Sequence, residues 1–303
     1  MVSVGFFRRL AFLTAFFAYL QIALGGVVRV TGSGLGCPDW PLCHGRPYPA
    51  ADIHSIIEYS HRSVGTITGV LLIGTVALAW VVFRQRRPLV AWLATASLVA
   101  IAAEGALGGV VVANELASWL VLVHLGLAMI ILGFLIATAV MSLPASTGAS
   151  DPSFRRLAAV ATALTYGLLL TGSTVVASSA DEACRAWPLC ASGFAFDFAG
   201  ANAFTMLHRG AVLVIGAVLV YTLIQALRHP ATKAAALATL VVLGLQVAVG
   251  AGAAVTGAAL FNGLHVAMAT LVWAGMLSIA LVTLPRADRR PALSRLAVDK
   301  RPA

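Results

Sequence analysis

Long apolar runs broken by short polar or Gly/Pro-containing segments set the pattern of this chain. The runs fall near residues 11–30, 62–83, 88–112, 119–141, 157–178, 207–227, 234–256 and 264–284. Each is close to the roughly 20 residues that a helix needs to cross about 30 Å of hydrocarbon. None alternates apolar with polar positions as the strands of a membrane barrel do. Because backbone groups in lipid must be satisfied within their own segment, the pattern predicts eight transmembrane helices. Composition agrees: of 303 residues, 60% are hydrophobic and 10% charged, which excludes a soluble globular domain. The expected class is an all-α integral membrane protein seated in a lipid bilayer.

Charge then orients the helices. Eight spans place both termini on one side. With the N-terminus inside, the inner segments hold Arg8, Arg9, Arg84, Arg86, Arg87, Arg155, Arg156, Arg228, Lys233 and the six basic residues from Arg286 onward, which makes 15 of the 20 Lys and Arg residues. Arg29, Arg46, Arg62, Arg185 and Arg209 fall outside. The positive-inside rule therefore puts both termini in the cytoplasm. The net charge of +9 reads as a topology signal; the basic residues are scattered over short loops, with no aromatic-interleaved stripe, so no nucleic-acid partner is expected. The first run is too long for a signal peptide and lacks a small-residue cleavage site, so it is expected to be a retained helix. No Arg- and Ser-rich transit sequence is visible, which favours a bacterial cytoplasmic membrane.

The chain is also written twice. CPDWPLC at 37–43 returns as CRAWPLC at 184–190, an offset of 147. The same offset carries Gly25 to Gly172, His61 to His208 and Arg62 to Arg209. Register slips by a few residues at the inner loop, yet GALGGVVV before His124 parallels AVGAGAAV before His265. Each half is four helices, and an even-numbered repeat keeps its orientation in the membrane. Two tandem four-helix bundles related by a pseudo-two-fold axis along the membrane normal are expected.

His61, His124, His208 and His265 all fall near outer helix ends and form one expected layer. Ionisable groups in transmembrane helices face the bundle interior and have a partner or a task. Two imidazoles from facing helices can supply both axial ligands of a haem iron, so one pair per half predicts two haem sites. A single such histidine is equally at home bonded to a loop carbonyl; repetition is what favours ligation. Zinc or copper would also take imidazole, although a closed site wants its ligands in one cluster. Gly25, Gly26, Gly105, Gly108, Gly109, Gly172, Gly250 and Gly252 flank the layer, either to admit a flat macrocycle or simply to pack helices closely. His44, His54 and His229 have no counterparts in the other half and are assigned to loops.

Each outer loop carries one C-x5-C pair, Cys37 with Cys43 and Cys184 with Cys190. On an oxidising face each pair closes a small disulfide loop, either as a structural staple or as a redox couple. The halves differ in charge. Under the offset, Glu58 of IIEYSHRSVG becomes Thr205 of FTMLHRGAV, and Arg29 becomes Val176. Glu58 precedes His61 by three residues, so a helix that begins early enough puts both on one face. Divergence of this kind suggests chemistry on one ligand and retention of the other. The alternatives are an N-terminal acid favoured by the helix macrodipole and, for Arg29, a snorkelling surface side chain.

The run GGVVRVTGSGLGCPDWPLC, the EYSHR motif, the four histidines and the two cysteine pairs together resemble the haem A synthase family over about residues 10–284. The resemblance implies oxidation of a ring methyl of haem O to a formyl group through a hydroxymethyl stage, with oxygen from water. It implies a catalytic half, residues 1–145, in which His61 and His124 bracket the substrate haem O beside the catalytic acid Glu58. It implies a second half, residues 146–303, in which His208 and His265 ligate a resident haem b. Arg29, Arg62 and Arg209 are candidates to support the site or pair with propionates. An electron acceptor, and possible docking to haem O synthase, are the implied partners. The second loop lacks the acid that Asp39 supplies in the first. The rival readings are a di-haem, quinol-linked electron-transfer cytochrome and a parallel-repeat transporter. No helix is interrupted at its middle by Gly/Pro, which disfavours the transporter.

Overall fold

Helices account for almost all of the regular structure in the computed structural model, which describes residues 3–144, 151–190 and 196–285. In chain order they are α1 (Val4–Val30), α2 (Ile53–Phe83), α3 (Pro88–Ala113), α4 (Ser118–Met141), α5 (Pro152–Ala177), the single turn α6 (Ala180–Ala183), α7 (Asn202–Leu227), α8 (Pro230–Thr256) and α9 (Ala259–Val282). Eight of them are long and apolar enough to cross a membrane, as the hydropathy pattern predicts. Among the described residues no strand occurs. The expected boundary between halves at 145/146 and the basic tail from Arg286 lie outside the described residues.

Two helices begin well before their apolar runs. α1 starts at Val4, where the Ser3 side chain accepts the Phe6 N–H, and α2 starts at Ile53, where Asp52 accepts the N–H groups of His54 and Ser55. A cap can hold polar turns that hydropathy alone does not register. α3, α5 and α8 open with Pro88, Pro152 and Pro230, residues preset for the first helical turn and without an N–H to leave unpaired. At the other end of the first half, Arg8 donates to the Ser142 carbonyl, and Arg87 to those of Met141 and Leu143. The last carbonyls of α4 are thus satisfied by two of the arginines that the charge rule places inside.

In the first half α1 packs on α2 and α4, and α3 packs on α2 and α4; in the second, α5 packs on α7 and α9, and α8 on α7 and α9. The halves meet where α1 and α4 lie against α9, and α4 against α5. The largest core lies at this seam, built from Ala15, Ala18 and Ile22 of α1, Leu72 of α2, Met129, Leu132, Leu135 and Val140 of α4, and Trp273 of α9. Small residues bring the backbones together there. A Cβ on Gly133 would lie 2.8 Å from the Trp273 ring, and one on Gly26 3.3 Å from Val266. Lipid tails are as apolar as leucine, so close packing of this sort, rather than exclusion of water, holds membrane helices together. Val70, Val81, Val99, Leu213 and Val214 correspondingly face outward, each more than 60% exposed.

Replacing Trp273 by Ala should therefore remove the ring that fills the seam and cost about 3–5 kcal/mol, measured as a lowered unfolding midpoint in detergent. Val70→Ala, on the lipid face, should move the midpoint little.

Candidate functional site

The four repeated histidines occupy equivalent places. His61, His124, His208 and His265 each lie about two turns inside the N-terminal end of α2, α4, α7 and α9. Each ring rests against a glycine on the preceding transmembrane helix. A Cβ on Gly25 would stand 3.2 Å from Cε1 of His61, on Gly108 3.4 Å from Cε1 of His124, on Gly172 3.1 Å from Cε1 of His208, and on Gly250 2.7 Å from Cε1 of His265. The imidazole fills the volume that a side chain on the neighbouring helix would take.

A ring of polar partners surrounds the rings. Gln21 Nε2 is 3.2 Å from His61 Nε2, Thr171 Oγ1 is 2.8 Å from His208 Nδ1, and Gln246 Nε2 is 3.4 Å from His265 Nε2. Glu104 Oε1 lies 3.0 Å from His124 Nδ1, without the alignment of a full hydrogen bond. Sequence reasoning missed all four partners. Gln21, Glu104 and Gln246 were visible as lone polar residues in apolar runs, and an offset of 142 carries both Glu104 to Gln246 and Gly108 to Gly250. Thr171 left no comparable signal, since threonine is common in membrane helices.

Among the described residues, eight buried side-chain polar atoms lack a hydrogen-bond partner. Six belong to this layer: Gln21 Oε1, His61 Nδ1, Glu104 Oε2, His124 Nδ1, Gln246 Oε1 and His265 Nδ1. Buried polar groups are normally paired, so such a concentration is where a bound group or ordered water could satisfy them. Among the described residues no three His, Cys, Asp or Glu side chains converge as a metal cage, which leaves the zinc or copper alternative without support. Two imidazoles per half suit an iron porphyrin, which brings four equatorial nitrogens of its own. The residues present fit that group.

Both cysteine pairs are disulfides: Cys37 with Cys43 at 1.99 Å, and Cys184 with Cys190 at 2.06 Å. In the first loop the backbone of Gly36 passes against that of His54, where a Cβ would collide, and Ser55 Oγ donates to the Gly36 carbonyl (2.6 Å). This close approach brings the disulfide onto α2. Glu58, only 4% exposed, accepts the Cys37 N–H at Oε2 (2.8 Å) and pairs with Arg62 at Oε1 (2.6 Å). Arg62 also donates to the carbonyls of Cys37, Asp39 and Leu42. Glu58 does share a helix with His61, and both of its oxygens are engaged by loop and arginine. In the second half Arg209 donates to the Pro188 carbonyl and Thr205 to that of Ala180.

The remaining candidates are dispersed. Arg29 is exposed on the last turn of α1. His54 Nδ1 lies 3.0 Å from Ser33 Oγ, His44 Nδ1 3.5 Å from Cys43 Sγ, and His229 stacks on Phe154; none joins the layer. Asp39 accepts the N–H groups of Gly45 (2.7 Å) and His44 (2.6 Å), and these donors hold its carboxyl below the usual carboxylate range. An apolar cleft of about 330 Å³ between α1 and α9, lined by Leu20, Leu24, Val27, Leu260 and Leu264, can take hydrocarbon but offers no chemistry.

Residues 8–277 match a family model, COX15-CtaA, described as cytochrome oxidase assembly protein. The chain is 28% identical over 291 residues to a protein of Exiguobacterium sibiricum named heme A synthase, covering 89% of this chain and 94% of that one. A Bacillus pumilus protein of the same name is 26% identical over 237 residues, 73% of this chain and 75% of the relative.

Arg62→Met should strip Glu58 of its partner and cost about 3–5 kcal/mol, as breaking a buried pair does. Arg209→Met should cost less, and limited proteolysis should cut the first loop sooner in R62M only. Because the Asp39 carboxyl is depressed on folding, its contribution is present above about pH 4 and lost as pH falls through the lowered value. Asp39→Ala should melt below the unsubstituted protein at pH 7, with the gap closing under stronger acid.

Proposed function

Since the chain belongs to the COX15-CtaA family and is an oxidoreductase of haem A biosynthesis acting on haem O, we propose that its two halves, each a four-helix bundle, divide substrate from resident cofactor. The first half takes haem O between His61 and His124. In the second, His208 and His265 hold haem b, which supplies one-electron redox capacity when bound. The observation that carries this reading is the fourfold histidine-on-glycine contact together with the unpaired polar atoms gathered around it.

The ring methyl of haem O becomes hydroxymethyl with oxygen from water, releasing two electrons and two protons. A second two-electron, two-proton loss gives the formyl group. The electrons leave to an external acceptor. Glu58 is the catalytic acid residue: it takes up a proton, or stabilises positive charge developing at the methyl carbon as water attacks. Its burial, its place one turn before His61 and its replacement by Thr205 in the other half support that role. Both oxygens are hydrogen-bonded in this structure, so proton uptake requires exchange of the Cys37 or Arg62 contact. Arg62 ties this acid to the disulfide loop and holds both in register with His61.

The basic residues of the short loops support a bacterial cytoplasmic membrane setting with both termini in the cytoplasm and the histidine and cysteine layer on the outer side. Haem O would then reach the first half through the bilayer or from haem O synthase. A di-haem electron-transfer cytochrome would use the same four histidines but leaves the Glu58/Thr205 difference without a purpose.

Mass spectrometry of porphyrin extracted from the purified chain, expressed with a source of haem O, should find haem b together with hydroxymethyl or formyl derivatives of haem O. Glu58→Gln should keep its haem and yield neither derivative. Unmodified porphyrin from the unsubstituted chain would favour the electron-transfer cytochrome, and undiminished product from E58Q would remove Glu58 from the mechanism.

A further inference from the structure

The four ring partners are not chemically alike. His61, His208 and His265 are met by Gln21, Thr171 and Gln246, all neutral, whereas His124 is met by the carboxyl of Glu104. Glu104 sits in the apolar run of α3 with its side chain 13% exposed, and its second oxygen is buried without a partner. An acid so placed is costly and calls for a use. The repeat gives its own control: the offset that carries Gly108 to Gly250 carries Glu104 to Gln246. The same place in the fold thus holds an acid in one half and its neutral isostere in the other.

We propose that Glu104 is a positioning residue that orients His124 through Nδ1 and sets the porphyrin iron of the first half at a lower midpoint potential than that of the second. This rests on the reading of the two histidine pairs as axial ligands. With iron at Nε2 the ring proton would lie on Nδ1, 3.0 Å from Glu104 Oε1, a contact that a turn of either side chain would align as a hydrogen bond. A carboxylate that accepts this N–H makes the imidazole a stronger donor, which favours ferric over ferrous iron. Gln246 gives His265 no such anion, and it approaches the other ring nitrogen, Nε2. Glu58, another acid of the first half, is committed to Arg62 and the Cys37 N–H. If Glu104 were only a strap between α3 and α4, its charge would not matter and glutamine would serve as well.

The test is a redox titration of the full-length chain in detergent, loaded with haem b in both halves and followed in the Soret and α bands. A His208→Ala background isolates the first-half haem. Glu104→Gln should raise the first-half midpoint and leave the second unchanged, Glu104→Asp should restore much of the difference, and Gln246→Glu should lower the second-half midpoint. Haem affinity of the first half should fall roughly 10- to 100-fold in E104Q. Unmoved midpoints in a fully loaded E104Q overturn the inference while leaving the ligand assignment intact. Should E104Q fail to hold haem, Q246E decides: an unchanged second-half midpoint overturns the proposal and a lowered one supports it. An unsubstituted chain that binds no haem at all would instead overturn the underlying assignment.

Discussion

A histidine ring set against the backbone of a glycine is the contact around which this protein is arranged. It occurs between α1 and α2, α3 and α4, α5 and α7, and α8 and α9. The ring needs the space of a missing side chain, so each helix pair must approach closely at that height. It also buries ring nitrogens, among them Nδ1 of His61, His124 and His265, so neighbouring helices must supply partners. Gln21, Glu104, Thr171 and Gln246 answer that need only in part, and the atoms left unpaired support the proposed ligand site.

The outer loops depend on the same contact in a different way. Each disulfide closes a short loop over the beginning of the following long helix, and the arginine next to the repeated histidine reaches back to loop carbonyls, Arg62 in one half and Arg209 in the other. The loop is thereby indexed to the histidine. In the first half this lock includes a buried carboxylate, Glu58, where the second half has Thr205. The arginine, the disulfide backbone and Glu58 there form one unit on the helix that carries His61. The repeat at an offset of 147 matches the two halves in histidine, arginine and cysteine, and they differ in the charges at Glu58 and Glu104.

Below that layer close packing is joined by a few interhelical hydrogen bonds, such as Thr14 with Thr75 and Trp80 to Thr95. α4 and α9 run through the seam between halves, where Gly133 admits Trp273 and Tyr166 donates to the Gly126 carbonyl. Hydroxyls inside the helices turn back on their own carbonyls, as Thr68, Thr138 and Thr239 do, and add no demand on neighbours.

Eight spans, the twofold repeat, the four histidines and both cysteine pairs were all legible in the chain, because hydrocarbon thickness, a conserved offset and residue chemistry act locally. Glu58 could be picked out by the same comparison of halves. The sequence could not say that its carboxylate turns to Cys37 and Arg62, since that depends on a loop folding back over α2. Nor could it say which flanking glycine receives which ring, or that Glu104 meets His124, because those contacts join helices whose relative rotation hydropathy leaves undetermined. In lipid both the packed and the exposed faces of a helix are apolar, so periodicity reveals the span and conceals the face. Only the packed tertiary structure, in which small residues choose the approach and buried polar groups seek one another, decided the site.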